Sequence, residues 1–279
     1  MQTLILDAHQ GWRWLAEGFR IYRKNPHFLA LLLLSYWGVL LLFSLIPLLG
    51  YLAAAVFGPV FLVSLMNACR DADHGEGVFS GPPKSSESSK GASFPRRRSV
   101  LPVLFSGFSV ERNRLLMLGA VYCAVDLFLL AGTALFDDGL LFQTLLGVAK
   151  IDSETPVDAS LIESQLLWFL LLRLPMILAL WYAPLLTGWR GVPLAKALFF
   201  SCVAVWRNRQ AFLAYGLCAF LFCALLPVSI SSLLVLILPF ATTFITYVLV
   251  LVFVLIFLPV LMVSRYVSYR DVFRVDTNA

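Results

Sequence analysis

Two stretches of this chain, Phe28 to Cys69 and Phe212 to Ser264, contain no charged residue at all, and nothing constrains the fold more than that. A bilayer core about 30 Å thick is crossed by about 20 apolar residues at about 1.5 Å rise each. Each stretch is therefore long enough for two crossings. In the first, Pro47 and Gly50 sit where a turn must be made, which predicts spans at about 28–46 and 50–69. In the second, Pro227, Ser229, Ser231 and Ser232, with Pro239 beyond, mark the turn and predict spans near 211–230 and 238–264. Between these stretches lie Leu115–Phe136, interrupted only by Asp126, and Leu166–Trp189, interrupted only by Arg173. The expected fold is all-α: a polytopic transmembrane helical bundle of about six spans (28–46, 50–69, 115–136, 166–189, 211–230, 238–264) with amphipathic interfacial helices.

Composition closes the alternatives. The chain is 60% hydrophobic and 13% charged, against roughly 45–50% and 25% in soluble domains, and its mean hydropathy is +0.87. Buried helices of a large soluble protein would need a polar shell that this sequence lacks. Strands of a membrane barrel would alternate over about ten residues, and these runs do not alternate. Disordered chains are polar and highly charged. The five cysteines (Cys69, Cys123, Cys202, Cys218, Cys223) lie scattered in or beside apolar runs, as small hydrophobes do, without the pattern of a disulfide framework. Met1–Asp7 shows no basic region leading into an apolar core and a cleavage site. The first span is therefore expected to act as an uncleaved insertion signal.

The charges predict the orientation. Apart from Lys150 and Arg173, all of the 21 Lys and Arg residues fall in the N-terminal segment, the loops after spans two and four, and the C-terminal tail. The segment between spans three and four holds Asp137, Asp138, Asp152, Glu154, Asp158 and Glu163 against Lys150 alone. Cytoplasmic loops are enriched in Lys and Arg, and every basic segment shares one side if the span count is even. Both termini are expected in the cytoplasm, with the acidic segment 137–163 outside. The whole chain, 1–279, reads as a single integral membrane domain with a flexible cytoplasmic linker at 71–100, rich in Gly, Ser, Pro and Lys. Arg96-Arg97-Arg98 in that linker could contact acidic headgroups. Without interleaved aromatics or a folded module it does not read as a nucleic-acid site.

A motif recurs. Gly11-Trp12-Arg13 returns as Gly188-Trp189-Arg190, each followed by an amphipathic stretch, a basic step with Asn, and a span. A weaker third copy runs from Phe108 to Leu116. Spans two and six finish alike, on Arg70-Asp71 and Arg270-Asp271. The chain thus reads as three helical hairpins, each entered through an interfacial helix, or else as chance likeness among membrane-flanking residues, where aromatics and Arg are common. In residues 8–24, Trp12, Leu15, Phe19 and Tyr22 recur at three- and four-residue spacing, with Arg13, Glu17, Arg20 and Arg23 on the other faces. Asp7 is placed to cap this helix, and Pro26 ends it. The expected interfacial anchors are Trp12, Trp14, Phe19, Tyr22, Trp189 and Trp206, and the expected partners are membrane lipids, through anionic headgroups at the basic segments.

Asp126 and Arg173 are the ionisable residues inside the predicted spans. A charge at membrane depth costs at least about 2.5–3.5 kcal/mol and usually pairs or lines a polar cavity. Counted from the outer ends of spans three and four, their depths differ by about 4–5 Å at 1.5 Å per residue, a gap an Arg side chain covers. The candidate is an ion pair, either a structural clamp or part of a substrate or proton path, the alternative being that the two make no contact, with Pro175 placed to loosen the backbone beside it. His9, His27 and His74 stand far apart from one another and from metal-ligand spacing, and no P-loop, G-x-S-x-G or G-x-G-x-x-G occurs. No enzyme activity, metal or cofactor is expected.

The segments Gly11-Trp12-Arg13-Trp14, Glu17-Gly18-Phe19-Arg20, Asn25-Pro26 and Leu45 to Gly50 resemble an uncharacterised family of proteobacterial six-helix inner-membrane proteins. So do Tyr182-Ala183-Pro184, Lys196 to Ser201, Trp206-Arg207-Asn208 and Ser268 to Phe273. The likeness spans the chain apart from 71–100 and the outer segment. It implies a bacterial inner membrane and carries over no activity and no functional residue. The sequence therefore supports first a non-enzymatic scaffold or accessory protein of the envelope, with a membrane-protein partner or a second copy of itself. A small transporter or lipid-handling protein is the alternative, because internal repeats often build transport folds.

Overall fold

The structure, a computed structural model, describes residues 4–46, 49–74, 99–137, 159–237 and 242–273. These residues form helices α1 (His9–Tyr22), α2 (Pro26–Ser44), α3 (Leu49–His74), α4 (Val100–Leu104), α5 (Arg112–Asp137), α6 (Ala159–Leu180), α7 (Ala183–Arg190) and α8 (Leu194–Arg207). There follow α9 (Arg209–Phe220), a π turn (Leu221–Leu225), α10 (Leu226–Ile237), α11 (Thr242–Val252), a second π turn (Phe253–Phe257) and α12 (Leu258–Val272). A 3₁₀ turn at Ser106–Ser109 precedes α5, and no strand occurs among the described residues. The interiors of the linker 71–100 and the acidic segment 137–163 lie outside the described residues, as does Pro239.

Among the described residues, five helical stretches are long and apolar enough to cross a membrane: Pro26–Phe43, Leu49–His74, Arg112–Gly132, Leu166–Arg190 and Thr242–Val272. The expected span at 211–230 falls in the α9–π–α10 stretch, which runs as helix from Arg209 to Ile237 and includes the shorter apolar segment Leu226–Val235. The turn predicted at Pro227 to Ser232 is not there. Proline lacks an N–H and its ring crowds the carbonyl four residues earlier, and the chain absorbs this by widening into a π turn rather than breaking. Both π turns are followed at once by Leu-Pro, Leu226-Pro227 and Leu258-Pro259. Ser231 lies in α10 with its hydroxyl donating to the Val228 carbonyl at 2.8 Å. Pro175 sits inside α6 without ending it. The interruption comes later, at Trp181–Tyr182, just before Pro184 starts α7. Ser201 Oγ repairs that gap, accepting the Tyr182 N–H at 2.9 Å and donating to the Leu178 carbonyl at 3.1 Å.

The chain divides into two compact units, one of Met1–Ser35, Ser64–Leu104 and Ala204–Ala279, the other of Tyr36–Val63 and Phe105–Val203. In the first, α1 packs against α9 and α12. Gly11 makes the approach possible, because a Cβ there would overlap the Ala211 carbonyl. Small residues set helix spacing in lipid, where apolar burial gives little drive. Trp14 is 0% exposed, its ring 5.3 Å from Phe212 and 6.0 Å from Tyr215. Tyr22 donates its hydroxyl to the Leu255 carbonyl at 2.6 Å. That carbonyl is four residues before Pro259 and so lost its normal helical donor. Asp7 does not cap α1: the helix starts after Ala8 with no side-chain cap bond.

In the second unit α5 packs against α6 and α7. Gly119 lies so close to α3 that a Cβ would overlap the Val56 carbonyl. Leu130 and Phe169 form a buried contact backed by Tyr51 and Leu129. Gly191 ends α7 at φ +61°, a left-handed cap that suits glycine, and its carbonyl accepts Arg114 Nη1 at 2.8 Å.

Candidate functional site

Asp126 on α5 and Arg173 on α6 meet in the second unit, with Arg173 Nε 2.7 Å from Asp126 Oδ1. The N–H is not aligned on that oxygen, so the contact is a close charge pair rather than a hydrogen bond. Asp126 Oδ2 accepts from the Tyr51 hydroxyl on α3. The Arg173 guanidinium lies over two rings, 5.2 Å from the Tyr122 centroid and 5.6 Å from that of Phe169. Asp126 is 1% exposed and Arg173 25%. Each carboxylate oxygen thus has a partner, and the cation is held by one carboxylate and two aromatic faces. In hydrocarbon an unpaired charge is expensive, and this arrangement removes most of that cost while tying together three helices. Tyr51 and Tyr122 were not singled out in the sequence. The signal for Tyr122 was its place four residues before Asp126, one turn along the same helix face.

A second polar cluster, in the first unit, escaped the sequence reading. Arg270 near the end of α12 places Nη1 2.9 Å from Asp73 Oδ2 and Nη2 3.0 Å from Asp271 Oδ1, and pairs with Glu17 of α1. Tyr266 adds a 3.2 Å hydrogen bond to Asp73, and Gln10 donates to Asp271 at 2.8 Å. Arg20 holds the other oxygen of Glu17 at 2.8 Å, and Lys24 donates to the Asp73 backbone carbonyl at 2.9 Å. A single surface pair contributes about 0–1 kcal/mol, whereas a partly buried network with several charge-assisted bonds contributes more. The echo of Arg70-Asp71 in Arg270-Asp271 pointed to the ends of spans two and six. Glu17 and Asp73 as partners were invisible because they come from distant parts of the chain.

The N-terminal segment docks beside this cluster. Asn208, 1% exposed between α8 and α9, accepts the Leu6 N–H at 2.8 Å and donates to the Leu4 carbonyl at 3.0 Å. The Leu4 N–H donates to the Val272 carbonyl at 3.1 Å. One amide side chain thereby plays the part of a neighbouring strand.

The six aromatics expected at the headgroup level divide. Trp12, Phe19 and Trp206 are exposed and Trp189 is half-buried. Trp14 and Tyr22 are core residues, facing protein rather than lipid. Burial raises the Tyr22 hydroxyl pKa, in keeping with its role as a donor. Among the described residues no three His, Cys, Asp or Glu converge as a metal site would require. Cys69, Cys123, Cys202 and Cys218 are free thiols.

No family model matches the chain, and no solved structure matches it. The sequence is 31% identical over 229 residues to a probable inner membrane protein of Burkholderia thailandensis, an alignment that covers 78% of this chain and 74% of that protein.

Proposed function

Since the chain belongs to the same family as that probable inner membrane protein, and so is a multi-pass protein of the inner membrane, we propose that it is a non-enzymatic scaffold or accessory protein of the envelope with both termini in the cytoplasm. The carrying observation is the closure of Asp126 and Arg173 on each other and on Tyr51. A transporter or an intramembrane enzyme keeps charged groups facing a path or a substrate, whereas these two are engaged in holding α3, α5 and α6 together. The orientation has its own support. In the first unit the N-terminal segment, the end of α3 and the end of α12 lie side by side through Leu4–Val272, Lys24–Asp73 and Arg270–Asp73. In the second, Arg114 at the start of α5 reaches Gly191 at the end of α7. Chain ends that touch share one face of the membrane, and the basic residues there favour the cytoplasm.

Three measurements test the reading. Reporter fusions after residue 150 and at the C-terminus are expected in opposite compartments, and a common compartment refutes the orientation. Purification of the full chain into lipid nanodiscs, followed by mass spectrometry, is expected to recover a stoichiometric membrane-protein partner or a second copy. Accumulation of a polar solute by proteoliposomes that carry the purified chain, and not by empty ones, would refute the scaffold role.

A further inference from the structure

Beside α1 the first unit contains an apolar cavity of about 440 Å³, inside the range of about 300–1,000 Å³ typical of small-ligand sites. One wall is the face of α1 that carries Trp12, Leu15, Ala16 and Phe19, recurring at three- and four-residue spacing. The opposite walls come from the two π turns and their continuations: Phe222 from the first, Ile256 and Phe257 from the second. Every lining residue is apolar. The Trp12 and Phe222 rings face each other at 5.6 Å, and Trp12, Phe19, Phe222 and Ile256 are each more than a third exposed, so the cavity opens sideways.

Three features identify what fits there. First, both π turns of the described chain face this one space, and π turns concentrate at functional sites. The extra residue per turn that each Leu-Pro step imposes is what sets their side chains around the cavity. Second, the space is long enough for part of an acyl chain: its lining on α1 runs from Trp12 to Phe19, about 10 Å at 1.5 Å per residue. Third, the α1 wall is flanked by cations. Arg13 follows Trp12, and the Arg23 guanidinium sits 5.9 Å from the centroid of the Phe19 ring, exposed beyond it. A basic amphipathic helix with aromatics suits an anionic headgroup layer.

We propose that this cavity is a binding site for one anionic phospholipid. An acyl chain runs down from α1 between Phe222 and Ile256, and the phosphate rests against Arg23. The lipid is a resident, held in one copy per chain, and it fills the gap that the two π turns open between α1 and the last span.

The test uses the full chain in symmetric nanodiscs of phosphatidylglycerol and phosphatidylcholine in equal amounts, so that it does not depend on membrane orientation. The chain is released into detergent and examined by native mass spectrometry. The expected result is one retained lipid per chain, enriched in phosphatidylglycerol. Ala219→Phe and, separately, Ala16→Phe fill the cavity and are expected to abolish retention while thermal unfolding stays cooperative. Arg23→Gln is expected to keep the retained lipid and lower its preference for phosphatidylglycerol about five-fold, the equivalent of about 1 kcal/mol per basic residue at an anionic surface. Retention unchanged in either cooperatively folded filling variant overturns the site. Equal retention of the two lipids by the unmodified chain overturns the headgroup assignment, and a dimer without lipid shows that a second copy occupies the space instead.

Discussion

Replacing Asp126 by alanine leaves Arg173 with no counter-charge and Tyr51 with no acceptor. Removing one partner of a buried ion pair costs about 3–5 kcal/mol, because a lone charge is left behind. Two features soften the loss here. Arg173 is one-quarter exposed, and it keeps the Tyr122 and Phe169 rings, each such contact contributing about 0.5–2 kcal/mol. We expect Asp126→Ala to destabilise by about 2–4 kcal/mol, with Arg173→Ala at a similar level since it strands the carboxylate. The double change Asp126→Leu with Arg173→Leu is expected within about 1 kcal/mol of the parent, because an apolar pair of similar shape replaces an ion pair at little cost. The assay is reversible unfolding in mixed micelles at constant lipid, with the parent, the two alanine variants and the double change Asp126→Ala with Arg173→Ala forming a cycle. A coupling above about 1 kcal/mol is the signature of contact. Singles that each cost under about 0.5 kcal/mol and simply add would refute the clamp.

Tyr22→Phe removes the donor on the Leu255 carbonyl and should cost about 0.6–1.7 kcal/mol, the range of interhelical hydrogen bonds in lipid; in a Pro259→Ala background, where the new N–H can serve that carbonyl, the same micelle titration should show the cost shrink. Gly11→Ala drives a Cβ into the Ala211 carbonyl and is expected to lose about 1–3 kcal/mol, while Gly38→Ala, with nothing within 4 Å of the new methyl, should gain about 0.5–1 kcal/mol. Asn208→Ala removes both bonds to residues 4–6, and hydrogen exchange should show the Leu6 amide losing protection while amides in the middle of α5 keep theirs.

The spans were legible because hydropathy is a one-dimensional property that lipid reads directly. The division between α2 and α3 followed from Pro47 and Gly50, although α3 runs five residues past its expected end, to His74, and the nearness of Asp126 to Arg173 followed from counting residues at a fixed rise. What failed was local: Pro227 read as a turn, because in water a mid-helix proline with serines nearby usually is one. In a span the freed carbonyl has no water to turn to, so the chain keeps its helix and widens by one residue. The division of the aromatics failed for a different reason. A three-and-four spacing identifies the apolar face of α1 but not whether protein or lipid covers it, and Trp14 lies about 120° round the helix from the centre of that stripe, toward Phe212 and Tyr215. The Arg270 cluster draws on α1, α3 and α12 at once, which no local pattern encodes.

The packing of α1 has a consequence for biosynthesis. This helix leaves the ribosome well before the surfaces it docks on, α9 and α12, are made. At about 5–20 residues per second, the interval between Tyr22 and Val272 is about 12–50 s. Through that time Glu17 has no Arg270, and Trp14 has no ring to pack on until Phe212 and Tyr215 of α9 are made. A basic amphipathic helix can wait on the membrane surface, so α1 begins as a lipid-bound float and becomes a wedge only when the final span arrives. Completion of the first unit is thus tied to synthesis of α12, and a product truncated before α12 would leave α1 stranded at the surface.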